Sequence, residues 1–500
     1  MPLPGGAQPW PPQDWVPVQK VLDEWGAWYS GDPNRLAEVH SRLVFTPTPL
    51  GRFWSQEVRE ERRLMLHVPL AGDIASASAD LLFSEAPRLV VPEAHAERAS
   101  QAAKTTQEEL LVLADKAGLQ NRLLEAADQC AGVGGVYLRV VWDTQVADHP
   151  ILAPMPGDAG IPEFRWGRLV AVTFWRVVYN DGTQVWRHLE RHELVNGRGV
   201  ILHGLYKGTH DNLGQKVSLD AHPATAGLEE VVPVPGGGLA VRYVPNMLPA
   251  RRFRHVPLGM ALGQADIAGA EGLLDALDEV YTSWVRDIRL AKARVLVPKE
   301  YLERGEDGRF RFDRDQEVFV PLDMDPTGQA SGPITLTQFA IRTQEHEQAA
   351  LHLIERIVDH AGYAPQTFGL RIEGRAESGT ALRIRERKTF VTASRKQRYW
   401  QRPLEEILQV MLAVHREVFG ATGVDPDLEV KVQFEDSIAP STLELAQTAE
   451  VLARAKAAST ETLVRLVHPD WSDEQVQKEV DRIAREQGLN LPSPMEVGLP

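Results

Sequence analysis

The 500-residue chain has one cysteine, Cys130. No internal disulfide can form, and no cysteine-based zinc site can be assembled; a single thiol fits a reducing compartment. No apolar run approaches the ~18 residues that a membrane-spanning helix needs. The opening MPLPGGAQPWPPQDW has neither the basic start nor the apolar centre of a signal peptide. No GxxxxGK[ST] occurs, which removes the P-loop route to NTP hydrolysis. Positive charge is also short: 54 Lys and Arg stand against 69 Asp and Glu, a formal net charge of −15. That excludes a protein coating nucleic acid with its whole surface, but not a local basic zone.

The pattern of what is present divides the chain. Residues 1–14 are Pro- and Gly-rich and read as a mobile arm. Helical spacing then takes over with Val18, Leu22, Trp25 and Trp28, and a second helix is expected from Pro33 at its first position. Further helix is expected over 71–83 and 95–131. After Gly132-Val-Gly-Gly135, which reads as a turn, Val136, Leu138, Val140 and Trp142 alternate as a strand does. The segment 150–163 reads as a Pro/Gly loop, and 167–246 as an antiparallel meander with turns at Asn180-Asp-Gly182 and Asn196-Gly197. An insertion over 209–240 interrupts it.

From Gly263 the spacing predicts a helix of about 30 residues over 264–294, with Ile267, Leu274, Leu277, Tyr281, Trp284, Ile288 and Ala291 on one stripe. A small strand-rich module with an Asp307-Gly308 turn is expected over 295–337, then a second long helix over 338–361. After a loop at 363–376 comes a third over 377–418, which Pro403 should kink or interrupt. A strand at 427–434 and helices at 441–457, 460–467 and 473–487 follow, the last capped by Ser472 and Gly488.

Positive charge is gathered in one place. Between 371 and 402 lie ten basic residues and three acidic ones; between 403 and 500, eight and eighteen. The bland reading is a solvated helix face paired with acids elsewhere. The sharper one is a zone that meets a polyanion, and charge alone does not choose. The rest of the inventory for chemistry is thin. His188-Leu-Glu-Arg-His192 places 188, 190 and 192 on one strand face, with an exposed face expected over a metal site. Asp323-Met-Asp325-Pro-Thr-Gly328 opens like a calcium loop but has Ile334 where the twelfth ligand belongs. No Ser/His/Asp set can be assembled, and the Trp and Phe residues at helical spacing read as core.

Three segments together resemble the portal proteins of tailed bacteriophages, in the branch common in siphophages and actinobacterial prophages. They are HVPLAGDIASASADLLFSEAPRLVV (67–91), PLGMALGQADIAGAEGLLDALDEVYTSWVRDIRLAKARVLVP (257–298) and ESGTALRIRERKTFVTASRKQRYWQRPLEEIL (377–408). Ser378-Gly-Thr-Ala-Leu382 is the most specific piece. The order of elements extends the likeness over 15–487. None of these motifs is catalytic, so its specificity lies in their order and spacing.

The resemblance implies an α+β portal-type fold. It would have a wing (15–256), a first stem helix (257–294), a small β-rich clip (295–337) and a second stem helix (338–362). A tunnel loop (363–377), a return helix and strand (378–439) and a helical crown and tail (440–500) would follow. It implies a structural protein without enzymatic activity or cofactor: a ring, usually of twelve subunits, at one capsid vertex. Double-stranded DNA would pass through the ring without sequence readout. Partners would be the terminase large subunit, a head-completion or adaptor protein, and the major capsid and scaffolding proteins. Membrane would play no part, and the location would be the virion, after assembly in the host cytoplasm. The residues placed at the DNA channel are Gln366, Arg371, Glu373 and Arg375; those at the basic helix start are Arg383, Arg385, Arg387 and Lys388. Terminase contact would fall on Glu303, Glu306, Asp307 and Arg309. Another phage minor capsid or adaptor protein is the alternative. A packaging nuclease or NTPase is disfavoured by the missing P-loop and the lack of a clustered acidic metal site.

Overall fold

The computed structural model describes residues 3–44, 65–92, 97–291, 294–296, 303–304, 310–311, 335–337, 341–370, 379–434, 442–468, 471 and 473–486. The chain forms two units, Met1–Phe434 and Glu435–Pro500. It is an α+β protein.

The first unit begins with α1 (Val16–Ser30) and α2 (Pro33–Val44). Gly31 ends α1 in the left-handed region, and the Asp32 carboxylate caps α2 by accepting the Asn34 amide at 2.9 Å. Ahead of them, residues 3–14 are not a loose arm. Trp10 is buried, packs edge-on against Trp175 at 5.6 Å, and donates its backbone N–H to Asp211 O. Tyr206 Oη donates to Pro4 O at 2.6 Å. Aromatic burial of this size outweighs the tendency of a Pro/Gly segment to wander.

After α3 (Leu70–Phe83) and the short β1 (Arg88–Val90), the expected helix over 95–131 is two helices, α4 (Glu97–Lys116) and α5 (Leu119–Val133). Gly118, at φ 57°, breaks them. Gly134 closes α5 at φ 88° and sends the chain into β2 (Gly135–Val141).

The segment read as a loop over 150–163 is instead β3 (Ile151–Pro156) and β4 (Gly160–Arg165). Each lies at the edge of its sheet. Proline lacks only the N–H that an edge strand can spare, so Pro154, Pro156 and Pro162 are accommodated. The meander is as expected: β5 (Arg168–Asn180), β6 (Val185–Val195), β7 (Arg198–Gly208) and β8 (Gln215–Val217) pair antiparallel in order. β9 (Val231–Pro233) pairs with β7, and β10 (Val241–Pro245) with β2. Asn196 and Gly197 both have positive φ, as a two-residue hairpin turn of this hand requires.

The helix expected over 264–294 is shorter, α6 (Glu271–Leu290). Residues 264–270 form turns instead, with Gly269 at φ 94° and the Asp266 amide bonded to Ala131 O. Beyond α6, β11 (Arg294–Leu296) pairs with β14 (Thr335–Thr337), and β12 (Glu303–Arg304) with β13 (Phe310–Arg311). α7 (Thr343–Ala361) follows. α8 (Gly379–Phe419) runs uninterrupted through Pro403. A helix-interior proline costs ~3 kcal/mol, whereas each large apolar side chain fully buried returns ~1.5–3 kcal/mol. Trp400, Leu404, Ile407 and Leu408 flank the proline and are all buried, so burial wins. β15 (Lys431–Gln433) pairs with β1.

One core lies between α3, α5, α8 and the β2 sheet, around Leu123, Leu138, Trp400 and Leu404. A second gathers Trp15, Trp25, Trp28, Tyr137, Leu274, Leu277 and Ile357, so these aromatics are core as expected. In the second unit, α9 (Thr442–Arg454), α10 (Thr460–Val467) and α11 (Asp473–Glu486) pack in succession. The Ser459 hydroxyl caps α10. Ser472 and Gly488, named as caps of α11, and the calcium-like stretch 323–328 lie outside the described residues.

A Cβ on Gly134 would sit 2.9 Å from Gly263 O and 3.0 Å from Ala265 N, and its φ is positive. Gly134→Ala should therefore destabilise the first unit by about 3 kcal/mol, read as a lower denaturant midpoint.

Candidate functional site

The helix stripe of α6 and that of α7 meet as an antiparallel pair, tied at both ends. At the far end Asp287 accepts from Arg342 Nη2 and His346 Nε2, each at 3.0 Å, and His346 stacks on Trp284 with planes 10° apart. Hydrogen bonds from His346 and then Arg342 hold the Asp287 carboxyl below its ordinary range. At the near end His360 Nε2 donates to Ala268 O at 3.0 Å. The outer part of the pair is left uncovered among the described residues. Ile288, Leu290, Ile341 and Leu351 are all more than 40% exposed.

Near the close end sits a buried polar node. Lys396, on α8, and Asp266, just before α6, have side chains 2% exposed and form an ion pair of 2.6 Å. Lys396 Nζ also donates to Ser78 Oγ on α3 at 2.6 Å and to Tyr363 Oη at 2.9 Å. Tyr363 Oη in turn donates to Asp266 Oδ2 at 2.8 Å, and Asn246 Nδ2 donates to Oδ1 at 2.7 Å. The three ammonium hydrogens each find an acceptor, so the charge is fully satisfied. Burial, and then the Asp266 charge, push the Tyr363 hydroxyl well above its ordinary pKa.

The segment leaving α7 is clamped to α8 beside this node. Gly362, at φ 96°, turns the chain; its carbonyl accepts from Thr392 Oγ1 at 2.7 Å. The Ala364 amide donates to Thr389 Oγ1 at 2.8 Å, and Thr367 bonds the same hydroxyl at 3.0 Å. Gln366 stands half-buried in the short turn Pro365–Phe368. The rest of the loop, with Arg371, Glu373 and Arg375, lies outside the described residues.

The basic run on α8 has several fates. Arg383 and Arg385 are positions in the first turns of α8, and Arg387 is exposed. Lys388 pairs with Asp359 of α7 at 2.5 Å. Arg395 donates to Leu248 O, Lys396 is the buried node, and Arg402 pairs with Glu406 at 2.8 Å. Lys388, Lys396 and Arg402 thus pair with acids, as the bland reading has it, but Lys396 does so in the core and not on a solvated face. Glu303 lies in β12, while Glu306, Asp307 and Arg309 fall outside the described residues.

The acids of α6 are similarly committed. Asp278 is buried and accepts from His67 Nδ1 at 3.0 Å and the Val68 amide at 2.9 Å. Asp275 bonds His40 at 3.1 Å, and Glu279 is exposed. The node itself was not anticipated. Its one sequence signal is that Lys396 shares a helical face with Thr389, Ala393 and Trp400.

His188 and His192 are buried, contrary to the exposed face expected, and Glu190 is half-buried between Arg139 of β2 and His192. Glu190 accepts from Arg139 and His192, each at 2.8 Å, and His188 Nε2 bonds His203 Nδ1 at 3.1 Å. Among the described residues no group of three His, Cys, Asp or Glu is placed to hold a metal.

Residues 257–490 match the family described as phage portal protein, SPP1 Gp6-like. No curated protein matches the chain. Among solved structures, a chain from a virion of the native gene transfer agent particle is 12% identical, with 92% of this chain and 96% of that one covered and a TM-score of 0.34. A chain from the neck of the empty gene transfer agent particle, computed with C6 symmetry, is 14% identical, with coverage of 92% and 95% and a TM-score of 0.37.

Two outcomes test this geometry. Lys396→Met should cost about 3–5 kcal/mol, because Asp266 is left buried without its partner; adding Asp266→Leu should recover part of the loss in chemical denaturation. Burial first, then His203, lowers the His188 pKa from 6.5 to about 4. Protonation there favours the unfolded chain, so stability should fall as pH drops from about 6.5 toward 4. His188→Asn should flatten that slope in melting curves taken across the window.

Proposed function

Starting from a chain whose residues 257–490 belong to the phage portal family, we propose that it is one subunit of a ring at a capsid vertex. Double-stranded DNA passes through the ring during packaging and ejection. The observation that carries the ring is the α6–α7 pair. Its outer part leaves Ile288, Leu290, Ile341 and Leu351 exposed, and apolar side chains left in water on a long helix pair are buried by neighbours. A closed head-to-tail ring provides one neighbour on each side.

In this reading 15–256 is the wing, 257–294 and 338–362 are the stem, and 295–337 is the clip. Residues 378–439 return to the wing, and 440–500 form the crown and tail. The clip, with Glu303, Glu306, Asp307 and Arg309, meets the terminase large subunit and later a head-completion protein. The major capsid and scaffolding proteins surround the wing. Assembly takes place in the host cytoplasm.

The loop 363–377 is the point of DNA contact. Arg371 and Arg375, repeated around the axis, make a collar of positive charge. Duplex DNA presents a phosphate charge every ~1.7 Å of axis, so the collar grips without reading bases. The clamp of Gly362, Ala364 and Thr367 onto α8 supports this role by giving the loop a fixed root. Gln366 stands at that root and Glu373 limits the collar's charge. Of the basic helix start, Lys388 pairs with Asp359; Arg383, Arg385 and Arg387 are assigned to DNA or to a neighbouring subunit.

Arg371→Glu with Arg375→Glu should leave ring mass unchanged while DNA packaging slows or aborts in an in vitro packaging reaction. Packaging at the normal rate would remove the loop from the mechanism.

A further inference from the structure

The end of the meander sheet carries a surface that nothing above uses. Arg165 and Arg168 pair across the two-residue turn that joins β4 to β5. Its central residues, Trp166 and Gly167, both have positive φ, 52° and 74°. Such a turn favours Asn-Gly, and a bulky side chain at positive φ is strained. Trp166 nevertheless occupies it and is 97% exposed, the most exposed large apolar side chain among the described residues. The β6–β7 turn lies at the same end of the sheet, where Leu194 and Val195 are 45% and 43% exposed. Arg165, Arg168 and Arg198 are exposed around them, and no ion pair engages any of the three among the described residues. The nearby acids, Glu163 and Glu193, are both bonded to Arg191.

An exposed indole beside aliphatic side chains and rimmed by arginines has the composition of a protein-binding hot spot. Nucleic acid would use the arginines, but it would have no use for Leu194 and Val195. The complementary surface is an apolar slot with a carboxylate in its wall to meet the arginines, and this chain has one. A cavity of about 420 Å³ opens beside β1, α4 and α5, lined by Pro87, Leu89, Leu111, Leu119 and Leu123, with Asp115 in its wall. Leu111 there is 51% exposed. We propose that the tip Arg165–Arg168 inserts Trp166 into this slot on a neighbouring copy of the chain. Knob and slot are different patches, so the contact is head-to-tail, the kind that closes rings. The inference rests on the ring reading and assigns one of its contacts.

The test uses the full chain and mass photometry across a concentration series. Trp166→Asn relieves the turn, so the melting temperature should hold or rise. The concentration for half-assembly should increase about thirtyfold, as for loss of a hot-spot residue. Leu111→Arg should do the same from the other side. The double variant Trp166→Cys with Leu111→Cys should form covalent multimers on oxidation, the native Cys130 being buried. Rings that assemble normally in both single variants overturn this contact and leave the ring reading standing. A wild-type chain that stays monomeric at every concentration overturns the ring reading and this contact with it. Loss of duplex binding with ring assembly intact in Trp166→Asn assigns the tip to nucleic acid and overturns the proposal.

Discussion

Everything around the two long helices depends on one buried ion pair, Lys396 with Asp266. Taking both charges out of water costs several kcal/mol per ion, and only complete hydrogen bonding offsets it. Here Ser78, Tyr363 and Asn246 complete it. These five residues come from α3, the strand exit after β10, the turn before α6, the turn after α7, and α8. The entry into the helix pair and the exit from it are thus fastened at one point. Removing either charge would strand the other, so the five segments are coupled energetically as well as in space.

That node also explains the basic stretch of an acidic chain. The ten cations between 371 and 402 look alike in sequence, but they are not one surface. Lys396 is internal structure, Lys388 and Arg402 close local pairs, and Arg395 caps a carbonyl at Leu248. What remains available for a polyanion is smaller than the count suggests. The acids of α6 follow the same logic: Asp278 and Asp287 fasten other segments.

The periodic elements were legible. Val18, Leu22, Trp25 and Trp28 gave α1, the alternation at Val136–Val140 gave β2, and Asn196-Gly197 gave its hairpin. Each depends on contacts within a few residues. The misreadings share a cause. Pro154, Pro156 and Pro162 argue for a loop until it is known that β3 and β4 are edges, and edge position is a property of the whole sheet. Pro403 argues for a break until the burial of Trp400 and Leu404 is counted. The arm over 3–14 looks mobile until Trp10 meets Trp175.

The α+β class, the long amphipathic helices and the match of residues 257–490 to a phage portal family model were all readable from the chain alone, because periodicity and motif order are local or linear quantities. The assembled fold sets which lysine and which histidines are buried, and which tryptophan stands out in solvent. Lys388 and Lys396, or Trp166 and Trp175, are the same residue types a short distance apart. Their roles differ because burial and partner are set by segments distant in the chain, and desolvation acts on that assembled environment and not on residue type.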